Sequence, residues 1–320
     1  MRPKFRLIDQ AIAPPPSLEQ TLNDIGNARR FVDAFNGLLA YIPESGTWLE
    51  FDGRLWRGNG EGCALRAAQT VVQRLNEEAA AMADEKDRDL LLKFARQSGN
   101  LQKLRAMVAI AETTELVIPP ARWNADPELF GVANGVLDLR TCELLDANPK
   151  DYVSKHSYVG FDPDARCPLW LKFIRRIMAD NDDVRSFLRR AAGYCLLGHN
   201  HERTFFIPYG SGANGKSTFL HGLEHIMGDY GQATPVSTLL THRSGNIPND
   251  IARLAGARFV SAVETNKGGQ LNAALVKRLT GNDRMSARFL HREFFDFYPS
   301  AKFWLATNSK PVIRETGNAI

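Results

Sequence analysis

The chain has 320 residues, enough for two domains and a sizeable buried core, and its 44% apolar and 24% charged residues match an ordinary soluble globular protein. No run approaches the roughly 20 apolar residues that span a bilayer, and Met1–Gln10 lacks the apolar stretch of a secretory leader, so neither a membrane span nor export is expected. The net charge of +4 is uneven: residues 251–320 hold 11 Lys and Arg against 5 Asp and Glu, while the remainder holds 29 against 31, so the positive excess there is either a solvated basic face or a surface that draws a polyanion.

Residues 1–25 read as a tail, because Pro14, Pro15 and Pro16 favour an extended segment. Helical spacing runs over Phe31–Leu39. A hairpin follows over Gly46–Trp56, with Asp52-Gly53 as its turn between aromatic-rich arms. From Leu65 to Leu116 the apolar residues recur at helical spacing, and Val71, Val72, Leu75, Ala79 and Met82 share one stripe. Two or three helices are predicted there, broken near Asp84–Asp87 and at Ser98-Gly99-Asn100. Phe130–Leu139 is strand-like around an Asn134-Gly135 turn, Tyr152–Val159 reads as a further strand, and Trp170–Leu197 as two helices parted near Asn181. Beyond Thr204 the pattern changes. Strands Thr204–Tyr209, Arg258–Val263 and Lys302–Thr307 alternate with helices Lys216–Met227 and Asn272–Leu279, which predicts a parallel sheet with helices on its faces.

The four cysteines, Cys63, Cys142, Cys167 and Cys195, contain no C-x-x-C pair, so no zinc site or disulfide framework is expected and a reducing cytoplasm fits. The strongest chemical signal is Gly210-Ser211-Gly212-Ala213-Asn214-Gly215-Lys216-Ser217-Thr218, which satisfies G-x-x-x-x-G-K-[ST] between an apolar strand and an amphipathic helix. Glycines there let backbone N–H groups converge on phosphate oxygens, and the helix N-terminus adds positive potential. Lys216 is expected to reach the β- and γ-phosphates of ATP, and Ser217 to bind Mg²⁺. Such a loop needs an acidic partner for the metal and the attacking water. Glu264 ends an apolar strand and is the candidate, ahead of Asp250 and Asp283, which follow none. Asn308 ends the strand Lys302–Thr307 and is placed to orient water, although Asn also serves as a cap. Arg284–Phe297 interleaves basic and aromatic residues as a hairpin with a basic tip would. Arg288, His291 and Arg292 either follow a nucleic-acid strand or are solvated charges.

Together these motifs resemble the C-terminal half of phage and plasmid primase–helicases, related to the poxvirus one, which are superfamily III helicases of the AAA+ class. The resemblance runs from about Ala28. It rests on Gly46-Thr-Trp48, Phe51-Asp-Gly53, Trp56 and Asn134-Gly-Val-Leu-Asp-Leu139, then in order on Asn214-Gly-Lys216-Ser217, Glu264, Lys277-Arg-Leu-Thr280-Gly281-Asn-Asp283, Arg288, Asn308 and Pro311. It implies an α/β fold. A helicase-associated α+β domain would cover residues 26–160, a helical linker or collar 161–199, and a P-loop ATPase domain 200–320. It implies that Asn308 is the sensor asparagine, that the segment around His291 and Arg292 contacts single-stranded DNA, and that subunits form a homo-oligomer, a hexameric ring with ATP between them. It also implies a primase or replication initiator as partner, and a phage or plasmid replicon in a bacterial cytoplasm.

Two departures matter. These residues leave no room for an upstream primer-synthesising domain, so primase activity is not expected. The family pattern also continues beyond Ile320 to an arginine pair acting on the neighbour's nucleotide. The chain therefore reads as truncated before its arginine finger, since Arg314 does not match that position, and weak turnover is expected. The rival readings are a nucleotide- and DNA-binding module without unwinding, and another P-loop enzyme such as a kinase.

Overall fold

Side chains that cap helices set the frame of the N-terminal part. Residues 17–58, 61–241, 249–264, 270–289 and 293–313 are described by the computed structural model. A short turn, α1 (Leu18–Thr21), precedes α2 (Asp24–Phe35). Asn23 accepts from the Gly26 N–H at 2.9 Å and so starts α2 inside the segment read as tail. The helix stops at Phe35, short of the predicted Leu39, because Gly37 takes a positive φ of 81° and turns the chain into β1 (Leu39–Ile42). Antiparallel β2 (Thr47–Phe51) pairs with β1, and β3 (Trp56–Gly58) completes the sheet order β1-β2-β3. A hairpin is present, but its second arm is Trp56–Gly58 and does not include Arg54 and Leu55, whose N–H groups donate to Asp52 Oδ1 and so keep them in the turn; β1 is the strand that the sequence pattern did not reveal.

Three helices follow, α3 (Glu61–Ala81), α4 (Glu85–Ser98) and α5 (Leu101–Ala111), with breaks where acidic and Ser-Gly-Asn residues predicted them. Asp84 caps α4 by accepting from the Asp87 N–H. Phe31, Val32, Leu39, Trp48, Val71, Leu104 and Met107 form one core, and Leu75, Ala79, Leu91 and Ala95 a second. These elements, Trp56 of β3 excepted, belong to the first of two compact units, Met1–Phe51 with Arg57–Pro120.

The second unit is Asp52–Trp56 with Ala121–Ile320, so the boundary expected near residue 160 falls inside it. It opens with an antiparallel sheet of order β4-β5-β6, made of β4 (Leu129–Val132), β5 (Gly135–Asp138) and β6 (Glu143–Leu145). Phe130, Val132 and Leu137 of that sheet share a core with Leu188, Phe219, Leu220, Tyr230 and Trp304, which is why it packs with the later residues. No named strand forms over Tyr152–Val159. Tyr152 sits at φ 49°, and the segment is tied down by separate backbone bonds, Ser157 N–H to Gly131 O at 2.8 Å and Ala133 N–H to Val159 O at 3.1 Å. Helices α6 (Pro168–Ile177) and α7 (Asp182–Tyr194) are parted at Asn181, whose side chain caps α7.

The parallel sheet is built from β7 (Phe205–Phe206), β8 (Gly231–Ala233), β9 (Phe259–Val263) and β12 (Lys302–Ala306), in the order β7-β12-β9-β8. Between them lie α8 (Lys216–Met227), α9 (Asn249–Ala252), α10 (Ala273–Thr280) and the hairpin β10 (Met285–Ala287) with β11 (Phe295–Phe297). Strands β9 and β12 are almost wholly apolar and buried, as central parallel strands require. All four cysteines are free thiols. Among the described residues no helix is long and apolar enough to cross a membrane.

Candidate functional site

Three loops leave the C-terminal edge of the parallel sheet, and the candidate residues sit on them. The ladder continues past the named strands. Tyr209 bridges Thr307, the Gly210 N–H donates to Thr307 O at 3.3 Å, and the Glu264 N–H donates to Ala306 O at 2.8 Å. Gly210, Glu264 and Asn308 therefore emerge side by side after β7, β9 and β12, where ligands bind in open α/β sheets.

The Gly210–Gly215 loop cannot be built from residues with side chains at its two ends. Gly210 has φ 153°, and a Cβ on it would lie 2.5 Å from the Asn214 amide nitrogen. Gly215, at φ 84°, starts α8; a Cβ there would meet Ile177 at 2.7 Å and Phe173 at 3.0 Å. The sequence thus folds the loop tightly against α6 and aims the first turn of α8 outward. Gly212, Asn214, Lys216, Ser217, Glu264 and Asn308 help to line one cavity of about 340 Å³. Glycine-permitted backbone, a helix N-terminus and a lysine facing one cavity suit a polyphosphate.

Lys216 Nζ donates to Gly210 O at 2.7 Å, Asn214 Oδ1 at 2.8 Å and Asn308 Oδ1 at 3.1 Å. Glu264 is buried, at 8% exposure, and its Oε2 accepts from the Thr307 hydroxyl. Thr307 in turn accepts from the Ser309 N–H at 3.0 Å, so one threonine holds both the acidic side chain and the turn that carries Asn308. In the sequence Thr307 is only the end of a strand. Its position between a buried strand and Asn308 was the one available signal. Asp250 accepts from Thr238 instead, and neither Asp250 nor Asp283 lines the cavity. The loop's backbone N–H groups with Lys216 would hold a nucleoside triphosphate, and Ser217 with Glu264 a divalent cation.

The hairpin β10–β11 exists, with Met285 opposite Phe297. Arg288 lies 4.8 Å from the centre of the Phe294 ring, and Phe289 stacks on Phe295 at 5.7 Å. Phe289 and Phe294 are exposed. His291 and Arg292, expected at the tip, lie outside the described residues, as does Arg314.

Two buried cations went unread in the sequence. Arg258 immediately precedes β9 and donates to Leu129 O at 2.7 Å and to Leu196 O, beneath the Tyr230 ring at 4.5 Å. Lys302 opens β12 and donates to Leu197 O and Ser300 O, 4.8 Å from the Tyr194 ring. Burial, the largest influence on it, lowers the Lys302 pKa to about 7.

Residues 28–179 match the family described as D5 N terminal like, and residues 209–319 match DUF5906, a family of unknown function. The chain is 30% identical over 192 residues to "Putative helicase L207/L206" of Acanthamoeba polyphaga mimivirus, covering 58% of this chain and 20% of that protein. It is 23% identical to "Putative helicase 022R" of Frog virus 3, covering 85% of this chain and 40% of the relative. It is 26% identical to "Putative primase C962R" of African swine fever virus (isolate Warthog/Namibia/Wart80/1980), covering 60% and 21%. The chain thus spans about a fifth to two fifths of these relatives. Its fold resembles two solved structures of the NrS-1 C terminal region. One has a TM-score of 0.51 at 10% identity, covering 91% of this chain and 60% of the other; the second has a TM-score of 0.50 at 8% identity, covering 88% and 56%. The matched family and the relatives bear out the resemblance to a primase–helicase of the superfamily III type.

Proposed function

We propose that this chain is the motor part of an ATP-dependent DNA helicase serving replication, coupling ATP hydrolysis to movement on single-stranded DNA. The observation that carries the reading is the convergence of Lys216, Glu264 and Asn308 on one cavity beside a glycine-bounded loop. The names of the viral relatives support a role in DNA replication.

In this reading the domain is of the AAA+ class. ATP lies along Gly210–Thr218, and Mg²⁺ is organised by Ser217 and Glu264. Thr307 fixes the Glu264 carboxylate, which with Asn308 positions the attacking water. Exposed Phe289 and Phe294 with Arg288 contact the DNA strand, and His291 and Arg292 are assigned to the same contact, since bases stack on rings and phosphates meet cations. The active form is a homo-oligomer, a hexameric ring, working with a primase or replication initiator. The replicon is a phage or plasmid in the cytoplasm of a bacterial host.

The test is ATP turnover by the purified chain, with and without single-stranded DNA, beside Lys216→Ala, together with displacement of a labelled strand. The reading expects DNA-stimulated turnover that falls by roughly 10²-fold or more in the variant. Turnover untouched by Lys216→Ala would contradict it. Nucleotide and DNA binding without turnover or displacement would instead support a binding module.

A further inference from the structure

An ammonium group has three donor hydrogens and no acceptor. All three of Lys216 have protein oxygens within reach: Gly210 O, Asn214 Oδ1 and Asn308 Oδ1. The three acceptors differ in kind. Gly210 and Asn214 belong to the lysine's own loop. The Asn214 amide is wedged over Gly210, with its nitrogen 2.5 Å from where a Cβ would sit. Asn308 comes from the end of β12, 92 residues along the chain, and its bond is the longest of the three and exposed. Any anion that engages Lys216 must take the place of one of these oxygens, and the exposed one on a separate loop gives way at the least cost.

We propose that Asn308 and Asn214 are positioning residues of opposite sign for Lys216: Asn214 aims the ammonium into the nucleotide cavity, whereas Asn308 competes with nucleotide phosphate for it. The proposal rests on the nucleotide-binding reading above. The bond to Asn308 is charge-assisted on the donor side alone, whereas with a phosphate oxygen both partners are ionised, so the exchange of Asn308 for phosphate is favourable overall. It still gives up the Asn308 bond, and the affinity measured is lower by that amount. The exchange also frees the Asn308 amide at the end of β12, one residue from the threonine that holds Glu264. Nucleotide arrival at Lys216 is thereby signalled to the acidic side of the cavity.

ADP separates this role from a contact to the γ-phosphate, which ADP lacks. Equilibrium titration with a fluorescent ADP, in Mg²⁺, is done on the wild type and on Asn308→Ala, Asn214→Ala and Lys216→Ala. Asn308→Ala is expected to bind ADP roughly three- to tenfold more tightly, and Asn214→Ala more weakly by a similar factor. Asn308 is exposed, and thermal midpoints taken without nucleotide verify that each variant is folded. If Asn308→Ala binds ADP equally or more weakly while Lys216→Ala loses binding, the competition is overturned and the nucleotide reading stands. If the wild type binds neither ADP nor ATP, or Lys216→Ala binds both as the wild type does, the nucleotide reading fails and the proposal with it.

Discussion

A cation stands at the start of β12 and immediately before β9, each strand leads to a polar site residue, and the two edges of the sheet treat charge in opposite ways. At the N-terminal edge Arg258 and Lys302 are buried, at 3% and 0% exposure, against main-chain carbonyls and aromatic rings. Their partners cannot leave without unfolding the unit. At the C-terminal edge Lys216 is held partly by exposed Asn308, and Glu264 by a hydroxyl. Fixed ligands make a cation part of the scaffold, whereas exchangeable ligands leave it available for chemistry.

The largest expected effect falls on the scaffold side. Arg258→Ala strips donors from Leu129 O and Leu196 O and empties the space under Tyr230. Leaving each of these two carbonyls without its donor costs about 1–3 kcal/mol, to which the lost packing under Tyr230 adds. Urea unfolding would record it, and a loss below roughly 1 kcal/mol would break the comparison.

Lys302 sharpens the contrast through pH. The unfolded chain keeps this proton up to its ordinary pKa of 10.5, whereas the folded chain releases it at about 7. Between those values the unfolded state binds more protons, so this group makes stability rise with pH. Lys302→Met removes the rise. The wild type should therefore gain on the variant from pH 7 to pH 10, by on the order of 2–4 kcal/mol. A stability difference that does not change with pH would show that the buried lysine is not titrating in this range.

Gly215 tests the functional edge by shape alone. Gly215→Ala puts a Cβ against Ile177 and Phe173 at a positive φ and should cost about 1–3 kcal/mol. Nucleotide affinity should fall with it, because the loop is displaced. An unchanged melting temperature would mean that α6 does not constrain the loop.

What the sequence showed follows the same division. Lys216, Glu264 and Asn308 were legible because each stands at a fixed local offset from an apolar strand or a glycine pair. The helices α3 to α5 were legible through spacing and caps. The scaffold cations were not, since the acceptors of Arg258 lie 62 and 129 residues away and one acceptor of Lys302 lies 105 away. Thr307 looked like one more strand residue until its neighbour across the sheet was known to be Glu264. Strand β8, Gly231-Gln232-Ala233, has no β-branched or aromatic residue to announce it and forms because β9 offers it a free edge.

The most direct measurement is equilibrium binding of ATP to Lys216→Ala and Lys302→Met side by side, at a pH where both are folded. The account predicts a loss of roughly tenfold or more for Lys216→Ala and a change within about twofold for Lys302→Met. Equal losses, or none in Lys216→Ala, would contradict the assignment of the C-terminal edge as the nucleotide site.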